Sequence, residues 1–152
     1  APPTQGFGIH PLGNVLFEFA VAADHPLAQL PMPLPASAIQ DYPTVIVADS
    51  SRRLPVRSSG LLDGRSRILV PTIEHKIQMQ CKGLGVGYLP RHRIANELAE
   101  GRLRLLTLDV SRSPVDISAA WPRGNTGKGL KWFVDRLKQL RFDSDSGLLV
   151  QK

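Results

Sequence analysis

The sequence predicts an α/β fold with a substantially parallel sheet. "TVIVAD" (Thr44–Asp49) and "SRILVP" (Ser66–Pro71) are short, β-branched apolar runs closed by polar or proline residues, the pattern of buried strands. Ile73, Ile77 and Cys81 then recur at helical spacing directly after the second run, which puts them on one apolar face. Further along, strand-like and helix-like segments keep alternating, the order that builds parallel sheets.

Taken in order, residues 1–14 are rich in proline and glycine and read as loop. "VLFEFAVA" (Val15–Ala22) reads as a strand, with Phe17, Phe19 and Val21 on one face and Glu18 and Ala20 on the other. "DHPLAQLPMPLPASAIQDYP" holds five prolines, so only Ala36–Gln40 is left for a short turn of helix. "DSSRR" ends the Thr44 strand, and Asp49, Ser50 and Ser51 are cap types for a weak helix near Leu54–Val56.

Thr72 caps a helix predicted over Ile73–Lys82. Glu74 in its first turn suits the positive helix pole, and Gly83 is its expected terminator. "VGYL" is a strand, and Pro90 opens a helix over Arg91–Glu100 that Gly101 closes. "RLRLLTLD" and "VDISAAW" add two strands. Gly129–Arg141 is the clearest helix, striped by Leu130, Phe133, Val134, Leu137 and Leu140, and residues 143–152 read as a loose, flexible tail.

At 152 residues the chain fits about one domain. No apolar run approaches the ~18–20 residues of a membrane helix, so no membrane partner is expected. No signal peptide is visible, and the opening "APPTQG", without an initiator Met, reads as a processed form or a fragment. The single cysteine, Cys81, excludes a disulfide framework and a multi-cysteine metal site, and makes a reducing cytoplasm the simplest home. The formal charge of +6 fits an acidic partner or general solubility.

"CKGLGVGYLP" (Cys81–Pro90) imitates a phosphate-binding loop, but its polarity is wrong. A dinucleotide loop follows a strand and opens a helix; here the helix comes first, and a phosphate would meet its negative end. Gly83 is instead read as a helix terminator, and Gly85 and Gly87 as residues that let a strand pass its neighbours closely. His10, His25, His75 and His92 have no metal-binding spacing, no GxSxG elbow exists, and Cys81 lies on an apolar stripe. No catalytic residue, metal or cofactor is expected. The basic side of the last helix, with Asp135 among its lysines and arginines, reads as a solvated face, and Trp121 and Trp132 as packing residues.

What remains is binding geometry. Val47 runs into "ADSSRR" and Val70 into "PTIE". Ligands of open α/β sheets sit at the carboxyl ends of strands, where helix N-termini favour anions. Ser50, Ser51 and Thr72 add hydroxyls there, or simply cap the helices.

The chain also resembles the effector-binding domain of LysR-type transcriptional regulators. "FAVAADHPLA" resembles the stretch that enters their second subdomain, and Asp41–Val47 their next strand. "CKGLGVGYLPRHRIANELAEGRLRLL" resembles their most recurrent C-terminal pattern, and "LKWFVDRLKQL" their closing helix. The resemblance runs from about Val15 to Arg141. It implies a type 2 periplasmic-binding-protein-like fold, with one complete subdomain plus the C-terminal part of the other, and a small-molecule effector held between the subdomains.

The same resemblance divides the chain into 1–16 (end of the first regulatory subdomain and linker), 17–117 (second subdomain), 118–142 (return to the first) and 143–152 (tail). It points to Asp49, Ser50, Ser51, Leu54, Pro55, Pro71, Thr72 and Ile73 as ligand contacts. It also implies a homodimer or tetramer, and DNA contact only through an N-terminal helix-turn-helix that this chain lacks. Two other readings compete. A transport-type solute-binding protein of the same fold predicts a secretory signal upstream of Ala1. A small α/β enzyme predicts a converging nucleophile and base.

Overall fold

The computed structural model describes residues 6–48, 66–110, 112–125 and 127–152. They belong to two compact units, one contiguous in sequence (Phe17–Ser113) and one assembled from Ala1–Leu16 and Pro114–Lys152.

In chain order the elements are β1 (Phe7–Val15), β2 (Phe17–Ala22), a 3-10 turn (Pro26–Gln29), α1 (Ala36–Ile39), β3 (Thr44–Val47), β4 (Arg67–Val70), α2 (Ile73–Cys81), β5 (Gly87–Pro90), a second 3-10 turn (Arg91–Arg93), α3 (Ala95–Ala99), β6 (Leu103–Leu105), β7 (Val115–Pro122), α4 (Lys128–Leu137), β8 (Leu140–Asp143) and β9 (Leu148–Gln151).

The contiguous unit is the α/β body. β3 pairs with β4 in parallel, and Thr44 bridges Val86, just before β5, in the same sense. β2 pairs antiparallel with both β5 and β6. β3, β4, β5 and β6 therefore run one way and β2 runs against them. The parallel character read from the sequence holds, with one reversed strand inserted.

Alternation along β2 explains where the core sits. Phe19 and Val21 join Leu27, Leu34, Ile39, Val86, Tyr88 and Leu106 on one face. Ala20 meets Ile77, Leu89, Ile94 and Leu103 on the other, beneath α2. The proline-rich stretch after β2 is ordered by His25, which is buried and accepts the Leu27 N–H on Nδ1 at 3.1 Å. It stands edge-on to Tyr42, and burial holds its pKa below the ordinary value.

The second unit pairs β1 with β7 antiparallel, from Phe7↔Pro122 to Val15↔Val115, with a bulge between Pro11 and Gly13. Residues 7–14 are thus strand, not the loop read from their prolines and glycines. Gly8 has no side chain because the Trp121 indole lies over it, and Gly13, at φ 141°, occupies the bulge.

Three further expectations change. Arg91–Glu100 is not one helix: Ile94, at φ −119°, breaks it into a 3-10 turn and the short α3. α4 stops at Leu137, so Leu140, expected on its stripe, lies in β8; Phe133, on that stripe, is 54% exposed. Residues 143–152 form no loose tail; β8 and β9 make an antiparallel hairpin. Its turn is closed where Asp143 Oδ2 accepts the Ser146 N–H at 3.2 Å, and Gly147 takes φ 71°. No described helix is long and apolar enough to cross a membrane.

Candidate ligand site

Because β3, β4 and β5 share a direction, Val47, Val70 and Pro90 end on one edge of the sheet. The Ala48 N–H donates to Val70 O at 2.8 Å and ties the first two of these ends together. α2 begins at this edge. Thr72 is its N-cap: the backbone there is extended, and Oγ1 accepts the His75 N–H at 3.3 Å. Oγ1 also lies 2.7 Å from His75 Nδ1 in a second hydrogen bond. Pro71 and Thr72 are exposed, whereas Ile73 is half-buried against the core beneath α2. Asp49, Ser50, Ser51, Leu54 and Pro55 lie outside the described residues.

Ion pairs that sequence reasoning did not foresee complete this edge. Arg93, in the turn after β5, pairs with Glu74 in the first turn of α2. Arg91 pairs with Glu18 at 3.6 Å, and Glu18 stands at the start of β2 because that strand is reversed. The signal was a lone carboxylate in an otherwise apolar strand.

Residues 1–141 match the family model of the LysR substrate binding domain. The chain belongs to that family. Among curated relatives of this LysR domain, the HTH-type transcriptional activator AllS of Salmonella typhimurium is 32% identical over 138 residues, covering 91% of this chain and 45% of its own. The chain thus spans less than half the length of that relative. Two solved structures share the fold. One is the Synechocystis CcmR regulatory domain in complex with 2-PG (TM-score 0.72, 24% identity, 91% of this chain and 69% of that one). The other is the effector binding domain of QuiR in complex with shikimate (TM-score 0.68, 18% identity, 90% and 66%). The architecture is the type 2 periplasmic-binding-protein-like α/β fold.

Beneath α2, this LysR domain carries a polar pair that the sequence did not reveal. Gln80 is fully buried and donates through Nε2 to Ala20 O at 2.8 Å and to Gly87 O at 3.2 Å. Lys76, one turn earlier, donates to Tyr88 O at 2.6 Å. A Cβ at Gly87 would lie 3.2 Å from Gln80 Oε1 and 3.3 Å from Lys76 Nζ, so Gly87 leaves the space that both side chains use.

Burial, with a lesser contribution from the Arg112 charge, lowers the Lys76 pKa from 10.5 to about 8. Between those values the unfolded chain holds a proton that the folded chain has released. Stability therefore rises with pH across that window and carries the full penalty of the buried charge below it. Lys76→Met is expected to raise stability by about 1–2 kcal/mol at neutral pH, once the lost bond to Tyr88 is offset. It should also flatten the rise above pH 8. Urea unfolding at a series of pH values checks this; an unchanged slope would refute it.

Burial likewise pushes the Cys81 thiol above its usual pKa, which disfavours the reactive thiolate. In the other unit, an open groove of about 480 Å³ runs beside α4, lined by Trp121, Leu130, Lys131, Val134 and neighbours. Trp132, expected as a packing residue, is 69% exposed, because α4 turns only Val134 and Leu137 fully inward.

Proposed function

We propose that this chain is the effector-sensing part of a LysR-type transcriptional regulator. It binds a small carboxylate or aromatic metabolite and performs no catalysis. The observation that carries the reading is the family match over residues 1–141, which includes both polar segments that follow β3 and β4. AllS is named a transcriptional activator, and CcmR and QuiR have been solved with 2-PG and shikimate. Effector contacts are assigned to Pro71, Thr72 and Ile73 with Asp49, Ser50, Ser51, Leu54 and Pro55. The intact regulator acts in the cytoplasm as a homodimer or tetramer and reaches DNA through a helix-turn-helix that is not part of this chain. Effector binding changes DNA binding by favouring one of two arrangements of the protein, which requires unequal affinity for the two.

A thermal-shift screen of small organic acids on the intact protein, followed by operator-DNA binding with each hit, tests this reading. At least one acid should give a saturable shift and change DNA affinity. Thr72→Val should weaken that response roughly tenfold, by loss of a hydrogen bond to a charged group, while Thr72→Ser, which keeps hydroxyl and cap, should not. Turnover of a hit, or no response to any acid, would overturn the reading.

A further inference from the structure

We propose that the Arg112 guanidinium anchors a carboxylate of the ligand. The proposal rests on the reading that this domain binds a small organic acid, and adds a residue that the family resemblance did not supply.

Arg112 lies at the end of the contiguous unit and folds back onto its beginning. Its guanidinium carbon sits 4.3 Å from the ring centroid of Phe17, the first residue of β2, and 5.3 Å from that of Tyr88 on β5. Stacking of this kind covers the face of the guanidinium and leaves its edge free, where the N–H donors point. Among the described residues, those donors meet no carboxylate and no carbonyl. Arg91, Arg93 and Arg102, by contrast, are each paired with a glutamate.

Arg112 is also half-buried, and loss of water lowers its pKa. A partly desolvated cation whose donors no described residue takes up is costly unless an acceptor arrives. The local charge balance points the same way. Lys76 is destabilised by the Arg112 charge, and Glu18, the acid that acts on Tyr88, is held by Arg91. An arriving anion would relieve both cations. A carboxylate fits the fork better than a spherical anion, because two parallel N–H donors match its two oxygens. The rings of Phe17 and Tyr88 beside the fork suit an acid with an apolar body.

The test is arginine modification by phenylglyoxal on the intact protein, read by peptide mass spectrometry, with benzoate and inorganic phosphate as probes. Benzoate should slow modification of Arg112 saturably, by about tenfold, and leave Arg93 and Arg102 unchanged. Arg112→Lys keeps the charge and loses the fork; it should bind benzoate about tenfold more weakly by calorimetry, the loss of one charge-assisted hydrogen bond. Equal slowing at all three arginines would mark simple screening and overturn the proposal. So would no slowing, protection by phosphate alone, or unchanged benzoate binding in Arg112→Lys. Because protection is read without DNA, benzoate protection in a protein whose DNA binding ignores every acid would keep the anchor and refute the regulatory reading.

Discussion

Gly85→Ala is expected to cost about 3 kcal/mol, at the upper end for forcing one methyl into a packed interior. A Cβ there would stand 2.6 Å from Val45 Cγ2 and 3.0 Å from Pro43 O. Neither neighbour can yield cheaply. Val45 is fully buried, and the backbones are locked together on either side, by Val45 N–H to Val86 O and Val86 N–H to Pro43 O, both at 2.9 Å. Gly83, two residues earlier, makes the contrast. Its φ is 72° and the nearest atom to a Cβ is 3.7 Å away, so alanine there meets only a backbone preference, worth about 1 kcal/mol. Urea unfolding of both variants should separate them by roughly 2 kcal/mol. Equal losses would show that the approach of β5 to β3 is looser than described.

Gln80→Leu is expected to lose about 2–3 kcal/mol despite nearly conserved volume. The amide donates to Ala20 O on β2 and Gly87 O on β5 from a fully buried position. Leucine supplies no donor, and water cannot replace one without opening the space beneath α2; leaving a buried acceptor unpaired costs about 1–3 kcal/mol. Gln80→Met, equally apolar but flexible, should lose a similar amount, which would tie the effect to the missing donor rather than to shape. If either variant unfolds within about 0.5 kcal/mol of the parent, the two carbonyls have other partners.

What was legible in the sequence was what local chemistry decides alone. α2 has a cap at Thr72, a terminating glycine at Gly83 and an apolar face through Ile73 and Ile77, and it forms where those signals stand. β1 was hidden because Gly6, Gly8, Pro11 and Gly13 are poor strand formers. Pairing with β7 overrides that preference, and the glycines make room for Trp121 and the bulge. The β8–β9 hairpin did leave a signal, "DSDSG" between two apolar runs, which is turn chemistry; the polar run was read as fraying. Around the candidate site the pattern pointed to Pro71–Ile73, but gave no sign of the buried Lys76 and Gln80 bonds or of the stack of Arg112 on Phe17 and Tyr88. Most of these contacts join residues twelve or more apart in sequence, and no local period encodes such distances.

The division of the chain also orders its assembly during synthesis. The unit from Phe17 to Ser113 is contiguous, whereas its companion needs β1 to find β7, with Val15 pairing to Val115 and Phe7 to Pro122. A nascent chain can complete the first while Val115–Pro122 is still unmade, whereas the β1–β7 pairing has to wait for that segment. Closing so long a loop costs entropy that only the finished insert reduces. The contiguous unit is therefore the early folder, and the β1–β7 pairing is the late step, at which misassociation has longest to compete.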